Sequence, residues 1–308
     1  MTERLHIVGA DAVGSLVAAG AQKHGVPYAR YPRNPETAPQ EAQWIDGTKY
    51  QLEPCSSHKP ELSENDVLLF PLKVYQLEAA LSSWLAYLEA RPTIVLMHNG
   101  LGGFELAREL LPENYPLLLA TTSHGALKRV DKSNKPYVVY TYVGSTQIGI
   151  SPQTSKEGFQ THKDGRVARA ISVLHKALPD VIIADEIMKA LWTKLAVNAV
   201  INPLTALNDI PNRCILEDQF SYLRHAVCEE FINVAKACGY TFSLKDVLHT
   251  VAKVAKATGR NYSSMHQDVA NKRQTEIAAI NGYIVEMAKK KGINVPVNAL
   301  LVEKINAL

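Results

Sequence analysis

The apolar positions of this chain fall into two textures. From residue 5 to about 185, short runs such as "LHIVG", "VPYARY", "DVLLFPL", "TIVLMHN" and "PLLLATTS" alternate with helical patterns at Ala12 to His24, Val74 to Glu89 and Gly102 to Leu111. Such alternation predicts βαβ units on a parallel sheet, and strands apolar at nearly every position predict burial on both faces. Two stretches break the rhythm and predict antiparallel additions: "WIDGTKYQL", with an Asp46-Gly47 turn, and "YVVYTYVGSTQIGI". After about residue 185 strand-like runs vanish. Helical periodicity takes over at Glu186 to Leu207, Gln219 to Cys238 and Lys272 to Lys290, with prolines and glycines mainly at joints such as "DIPN", "CGY" and "KGINVP". The prediction is an α/β nucleotide-binding domain over residues 1–184 followed by an all-helical domain over residues 185–308.

Composition narrows the function classes. With 308 residues, 46% hydrophobic and 20% charged, the chain suits two globular domains and not extensive disorder. A net charge of +3, with no like-charge run longer than Lys289 to Lys291, argues against nucleic acid as the main partner. The four cysteines show no C-x-x-C spacing and no histidines at zinc-ligand intervals, so a reduced, cytoplasmic protein with no metal is expected. "MTERLHIV" has no apolar signal segment, and no apolar stretch reaches the roughly 18 residues of a membrane span.

The first strand runs into "IVGADAVG", which departs from G-x-G-x-x-G by placing Asp11 at the second glycine. In such a turn the first glycine makes the bend, the second admits a pyrophosphate, and the third lets helix and strand pack closely. Gly9 and Gly14 remain. Asp11 is expected to weaken a dinucleotide's hold unless it turns away or is neutralised, and it could also cap the helix that follows. An NAD site would carry an acid at the end of the second strand, but "YARYPR" offers Arg30 and Arg33 and no acid before Glu36. Permanently charged, bidentate guanidinium groups suit a 2′-phosphate, so NADP(H) is favoured over NAD(H).

In "WTKLAVNAVINPLTAL", Lys194, Asn198 and Asn202 fall at i, i+4 and i+8, one stripe of an otherwise apolar helix. Left unpaired when buried, such groups cost roughly 1–3 kcal/mol each, so either a structural network or a substrate must satisfy them. Farther on, "RNYSSMHQDVANKRQTEIAAINGYIV" places Asn261, Ser264, Asp268 and Glu276 around an expected helix start. By itself Ser264 reads as a cap, and Glu276 as a solvated residue in the first turns of a long helix.

The segments "LLFPLKVYQ", "MHNGLGGFE", "TTSHGA", "LWTKLAVNAVINPLTAL" with "PN" following, and "SSMHQDV…RQTEIAAINGYIV" occur in the order found in ketopantoate reductases (2-dehydropantoate 2-reductases), and the chain resembles that family over nearly its whole length. The resemblance implies a Rossmann-type domain joined to a helical domain of the 6-phosphogluconate-dehydrogenase type. It further implies NADPH-dependent reduction of ketopantoate to (R)-pantoate, on the route to pantothenate and coenzyme A. By matching motifs it makes Lys194 and Glu276 catalytic. Asn99, Asn198, Asn202, Asn212, Asn261 and Ser264 become substrate-side residues. Gly9, Ala10, Asp11, Ala12, Val13, Gly14, Arg33, Lys73, Asn99, Ala126 and Glu276 become cofactor-side ones.

Those residue types suit the chemistry. Reducing a ketone leaves negative charge on oxygen, which an ammonium such as that of Lys194 can stabilise and then protonate, while a nearby Glu276 would keep it charged and aimed. Two alternatives remain at the level of sequence. The substrate could be another 2-oxo acid, or the chain could be a non-catalytic scaffold or sensor with an impaired turn, for which Asp11 is the main support. Either a monomer or a homodimer is compatible with the pattern.

Overall fold

In a computed structural model of the chain, residues 4–152 and 165–308 are described. They divide into two compact units, Met1–His98 with Gly103–Met188 and Asn99–Gly102 with Lys189–Leu308. The first contains strands β1 (Leu5–Val8), β2 (Tyr28–Tyr31), β3 (Glu41–Gln43), β4 (Lys49–Gln51), β5 (Val67–Phe70), β6 (Thr93–Met97), β7 (Leu117–Thr122), β8 (Gly125–Val130), β9 (Pro136–Tyr142), β10 (Thr146–Ile150) and β11 (Val181–Ile183). Its helices are α1 (Ala12–Lys23), α2 (Val74–Trp84), α3 (Gly103–Leu110) and α4 (Arg166–Ala177).

A seven-stranded sheet has the order β11-β10-β7-β6-β5-β1-β2. The five strands from β7 to β2 run parallel, and every residue of β1, β5 and β6 is buried, as all-apolar runs require. A second sheet has the order β4-β3-β9-β8. Within it β3 and β4 form the antiparallel hairpin about Asp46-Gly47, where Asp46 Oδ1 accepts from the Thr48 amide at 2.9 Å.

The stretch "YVVYTYVGSTQIGI" does not stay together. Its first half, β9, pairs antiparallel with β8 in the small sheet, and its second half, β10, pairs antiparallel with β7 in the large one. His124 holds this division. The Gly144 amide donates to His124 Nδ1 at 3.0 Å, as does the Tyr140 hydroxyl at 2.8 Å, so the proton sits on Nε2, which donates to the Pro179 carbonyl at 3.0 Å. Burial lowers the pKa of this ring, consistent with a neutral imidazole.

Beneath the amino ends of β1 and β5 a charge cluster surrounds the buried Asp66, with Arg4 reaching it from the surface. Asp66 accepts from Arg4 Nη2 at 2.8 Å, Arg4 Nε at 3.0 Å and the Ser63 amide at 2.7 Å, with His6 Nε2 at 3.7 Å. Burial alone would raise the Asp66 carboxyl. The hydrogen bonds from Arg4 and the Ser63 amide, with the His6 ring close by, override it and hold its pKa well below the usual carboxylate range.

The second unit contains α5 (Ile187–Asn208), α6 (Ser221–Ala237), α7 (Leu244–Ala257), α8 (Ser264–Ala270), α9 (Asn281–Lys291) and α10 (Pro296–Asn306). The last long helix begins later than its periodicity predicts. Instead of a helix from Lys272, Lys272 takes a left-handed φ of 52°, a 3-10 turn spans Ile277–Ala279, and α9 begins only at Asn281. Local bonds win here, with the Arg273 amide donating to the Asp268 carbonyl at 2.8 Å. No helix among the described residues is long and apolar enough to cross a membrane.

Helix α5 carries Pro203 in its interior. Proline has no N–H, so the Ala199 carbonyl four residues back loses its helical donor. Asn281 supplies another. Its Nδ2 donates to the Ala199 oxygen at 2.9 Å and to Asn298 Oδ1 at 3.0 Å, and both asparagines are fully buried. Asn298 Nδ2 in turn donates to Glu230 Oε2 at 2.7 Å, and Glu230 also accepts the amides of Val297 and Asn298 at the start of α10.

Two predictions follow from these buried networks. Because the folded pKa of Asp66 lies below its unfolded value, its contribution is present above about pH 4 and fades as the pH falls further. Asp66→Asn is therefore expected to cost about 2–4 kcal/mol in urea unfolding at pH 7, and the difference from the parent protein should shrink below about pH 4. Asn281→Leu, which strands the Ala199 carbonyl, should cost about 2–3 kcal/mol in the same measurement, and a loss below about 0.5 kcal/mol would show that the proline needs no replacement donor.

Candidate active site

In the sheet unit, the residues matched to cofactor binding, apart from Ala126 on β8, gather at the carboxyl ends of three adjacent strands. Parallel pairing sets Val8 beside Tyr31 and Ile7 beside Leu69, so the turn after β1, Arg33 after β2 and Lys73 after β5 leave the same edge. That is the edge at which open α/β sheets bind ligands. Gly9 has φ of 112°, and a β-carbon there would strike Leu72; a β-carbon on Gly14 would strike the Gly9 carbonyl. Both glycines are thus required by the backbone. Lys73 stands at the N-cap of α2, its amide donating to Gln76 Oε1 at 3.2 Å.

Asp11 sits at the N-cap of α1 but makes no capping hydrogen bond. Its exposed carboxylate instead meets Lys128 Nζ, from β8, at 3.2 Å. The capping expectation is therefore corrected: the lysine draws the carboxylate away from the helix amides. A helix start not capped by its own side chain leaves those amides directed at an incoming anion, so the turn fits a pyrophosphate. Sequence reasoning passed over Lys128. The signal was its place two residues after Ala126 in a strand, which puts both on one face of β8.

The pair Arg30 and Arg33 divides. Arg30 is fully buried, with its guanidinium donating to the carbonyls of Glu53 and Pro39 and to Gln40 Oε1. Burial lowers its pKa, and its donors are spent on the fold. Arg33 is exposed and remains the arginine suited to a phosphate.

In the helical unit, the stripe on α5 grades from open to closed. Lys194 and Asn198 are half-buried, Asn202 is buried, and Thr205 is fully buried. Burial lowers the Lys194 pKa to about 8, against an opposing pull from the Glu276 carboxylate. Glu276 is buried and precedes the 3-10 turn, so the expectation of a solvated helix residue is overturned. Asn99 Nδ2 donates to Glu276 Oε2 at 3.1 Å, and the adjoining Leu101 amide donates to the Ala279 carbonyl at 2.9 Å. Lys194, Glu276 and Asn99, far apart in sequence, thus form one electrostatic group.

Ser263, not Ser264, caps α8: its Oγ accepts the His266 amide at 3.1 Å and the Thr205 hydroxyl at 2.7 Å. This stitch fixes α8 to α5 and leaves Ser264 exposed as the first residue of its helix. Asn212 is buried. Its amide donates to the Asn261 carbonyl and its Nδ2 to Thr258 Oγ1, both at 2.9 Å, while Oδ1 finds no partner among the described residues. Asn261 is exposed. Among the described residues no group of His, Cys, Asp and Glu could hold a metal ion.

Comparison with known proteins returns one family for both units. Residues 5–153 match the family model described as Ketopantoate reductase PanE/ApbA, and residues 186–308 match its C-terminal counterpart. A 2-dehydropantoate 2-reductase of Vibrio cholerae is 34% identical over 305 residues, covering 98% of this chain and 96% of that one. Among solved structures, a D-mandelate dehydrogenase with NADH and anilino(oxo)acetate superposes with a TM-score of 0.85 at 20% identity, covering 99% and 97% of the two chains. A PanE/ApbA family ketopantoate reductase from Ralstonia eutropha JMP134 gives 0.81 at 22% identity, covering 99% and 97%. These two structural likenesses speak to the fold.

Proposed function

Because the chain belongs to the ketopantoate reductase family, we propose that it reduces the 2-oxo group of ketopantoate to (R)-pantoate with NADPH, and that Lys194 is the general acid. The observation that carries this reading is the group of Lys194, Glu276 and Asn99 in the helical unit. NADPH, when bound, supplies the hydride that reduces the carbonyl carbon.

The chain's own residues handle charge and protons. Lys194 Nζ donates to the carbonyl oxygen, stabilises the charge developing there, and releases its proton to give the hydroxyl. A pKa of about 8 suits an acid that is charged at neutral pH yet gives up its proton readily. Glu276 favours the charged form of Lys194, and Asn99 fixes Glu276 through its amide. Asn198 and Asn202, one and two turns beyond Lys194 on the same stripe of α5, together with Ser264 and Asn261, are the candidates to orient the substrate. Asn212 acts there through its bond to the Asn261 backbone.

On the cofactor side Arg33, exposed after β2, suits the 2′-phosphate that distinguishes NADPH, and Lys73 and Ala126 are the other residues matched to cofactor contact. The turn from Gly9 through Ala10, Ala12 and Val13 to Gly14 would take the pyrophosphate on its backbone. The scaffold alternative loses its main support, since Asp11 is paired with Lys128 and does not occupy the helix amides.

In steady-state assays with NADPH and a panel of 2-oxo acids, ketopantoate is expected to rank first in kcat/KM; another acid in first place would overturn the substrate assignment. Lys194→Ala should lower kcat by about 100-fold or more while leaving NADPH affinity nearly unchanged. Since the acid must be protonated, the reductive rate should decline above about pH 8, and Glu276→Gln should shift that limb to lower pH.

A further inference from the structure

Asp11 stands where a dinucleotide turn has glycine, at the start of α1, and a carboxylate there has two stable placements. It can fold back and accept the first amides of the helix, as N-cap aspartates do, or it can turn outward to a cation. The first placement puts an oxygen anion where the pyrophosphate would lie. The second leaves the amides open. The structure adopts the second, with Lys128 Nζ 3.2 Å from Asp11 Oδ1 and no capping bond from the aspartate side chain.

Lys128 is well placed for this. It lies on β8, a strand paired with β9 through Ala126 beside Tyr140 and Lys128 beside Val138. Strand alternation puts Lys128 on the same face of β8 as Ala126, a residue matched to the cofactor side. The lysine side chain is 30% exposed while that of Asp11 is 71% exposed, so the better anchored partner is the cation. A pair this open adds little to folding stability, and the fold does not depend on it. Its consequence falls on the turn.

Resting on the NADPH reading above, we infer that Lys128 is a positioning residue for the cofactor: it holds the Asp11 carboxylate off the amides of α1 and so keeps the turn open to the pyrophosphate. Without Lys128 the aspartate caps its own helix and competes with the cofactor. The two residues together restore what a glycine would give alone.

The test is calorimetric titration of the purified full chain with NADPH, beside thermal unfolding without it. Lys128→Met is expected to weaken binding about tenfold in the Asp11 background, because a new cap and an uncompensated charge must both be displaced. In the Asp11→Gly background the same change should cost less than about threefold, since no carboxylate remains to fold back. Lys128→Arg should retain most of the parent affinity. The unfolding temperature of Lys128→Met without NADPH should not fall, which separates this role from a merely structural one. Equal losses in both backgrounds would make Lys128 an independent phosphate ligand and overturn the inference, as would no loss in either. Failure of the parent protein and of Asp11→Gly alike to bind NADPH would overturn the functional reading and this inference with it.

Discussion

The helix that carries Lys194 runs through Pro203 with a hydrogen bond from Asn281 to the Ala199 carbonyl in place of the one the proline removes. A proline at that place removes one rung of the helical ladder, and the freed oxygen is too deep for water to satisfy it. Asn281 answers from the first turn of α9, and Asn298 and Glu230 answer Asn281 in turn. Three helices are thereby fixed to α5 by polar bonds in a core where each unpaired atom is costly. The stripe of Lys194, Asn198 and Asn202 lies on the same helix that this network holds at Ala199.

Glu276 shows the same economy of position. Were the last periodicity helical from Lys272, Glu276 would project from a helix surface, where a carboxylate is solvated and exerts little influence. By breaking the helix and delaying its start to Asn281, the chain brings Glu276 into a buried place beside Asn99 and within electrostatic reach of Lys194. A carboxylate in such a place keeps its field. The cost is a left-handed residue at Lys272 and a short 3-10 turn.

Much of this was legible in the sequence, for identifiable reasons. Buried parallel strands must be apolar throughout, so β1, β5 and β6 announce themselves, and the Asp46-Gly47 hairpin is specified by local turn chemistry. The stripe on α5 follows from spacing alone, and the family's motifs nominated the other candidate residues. What escaped was set by partners distant in sequence. Arg30 reads as a phosphate ligand until the carbonyls of Pro39 and Glu53 are seen to enclose it. Asp11 reads as a cap until a lysine 117 residues along the chain (128 minus 11) meets it. "YVVYTYVGSTQIGI" reads as one addition because nothing local says that His124 will separate its halves.

The four residues Asn99–Gly102 lie in sequence between β6 and α3, yet they fold with the helices. The boundary between the two units is therefore not a single point in the gene. A fragment beginning at Lys189 would keep most of α5 and Glu276 but lack the Asn99 amide that donates to that carboxylate. Recombination that exchanged the helical half for a relative's would have to match the donor's Glu276 environment to the recipient's Asn99 loop. The two halves of this chain are in that sense bound to a shared inheritance, although each has a core of its own.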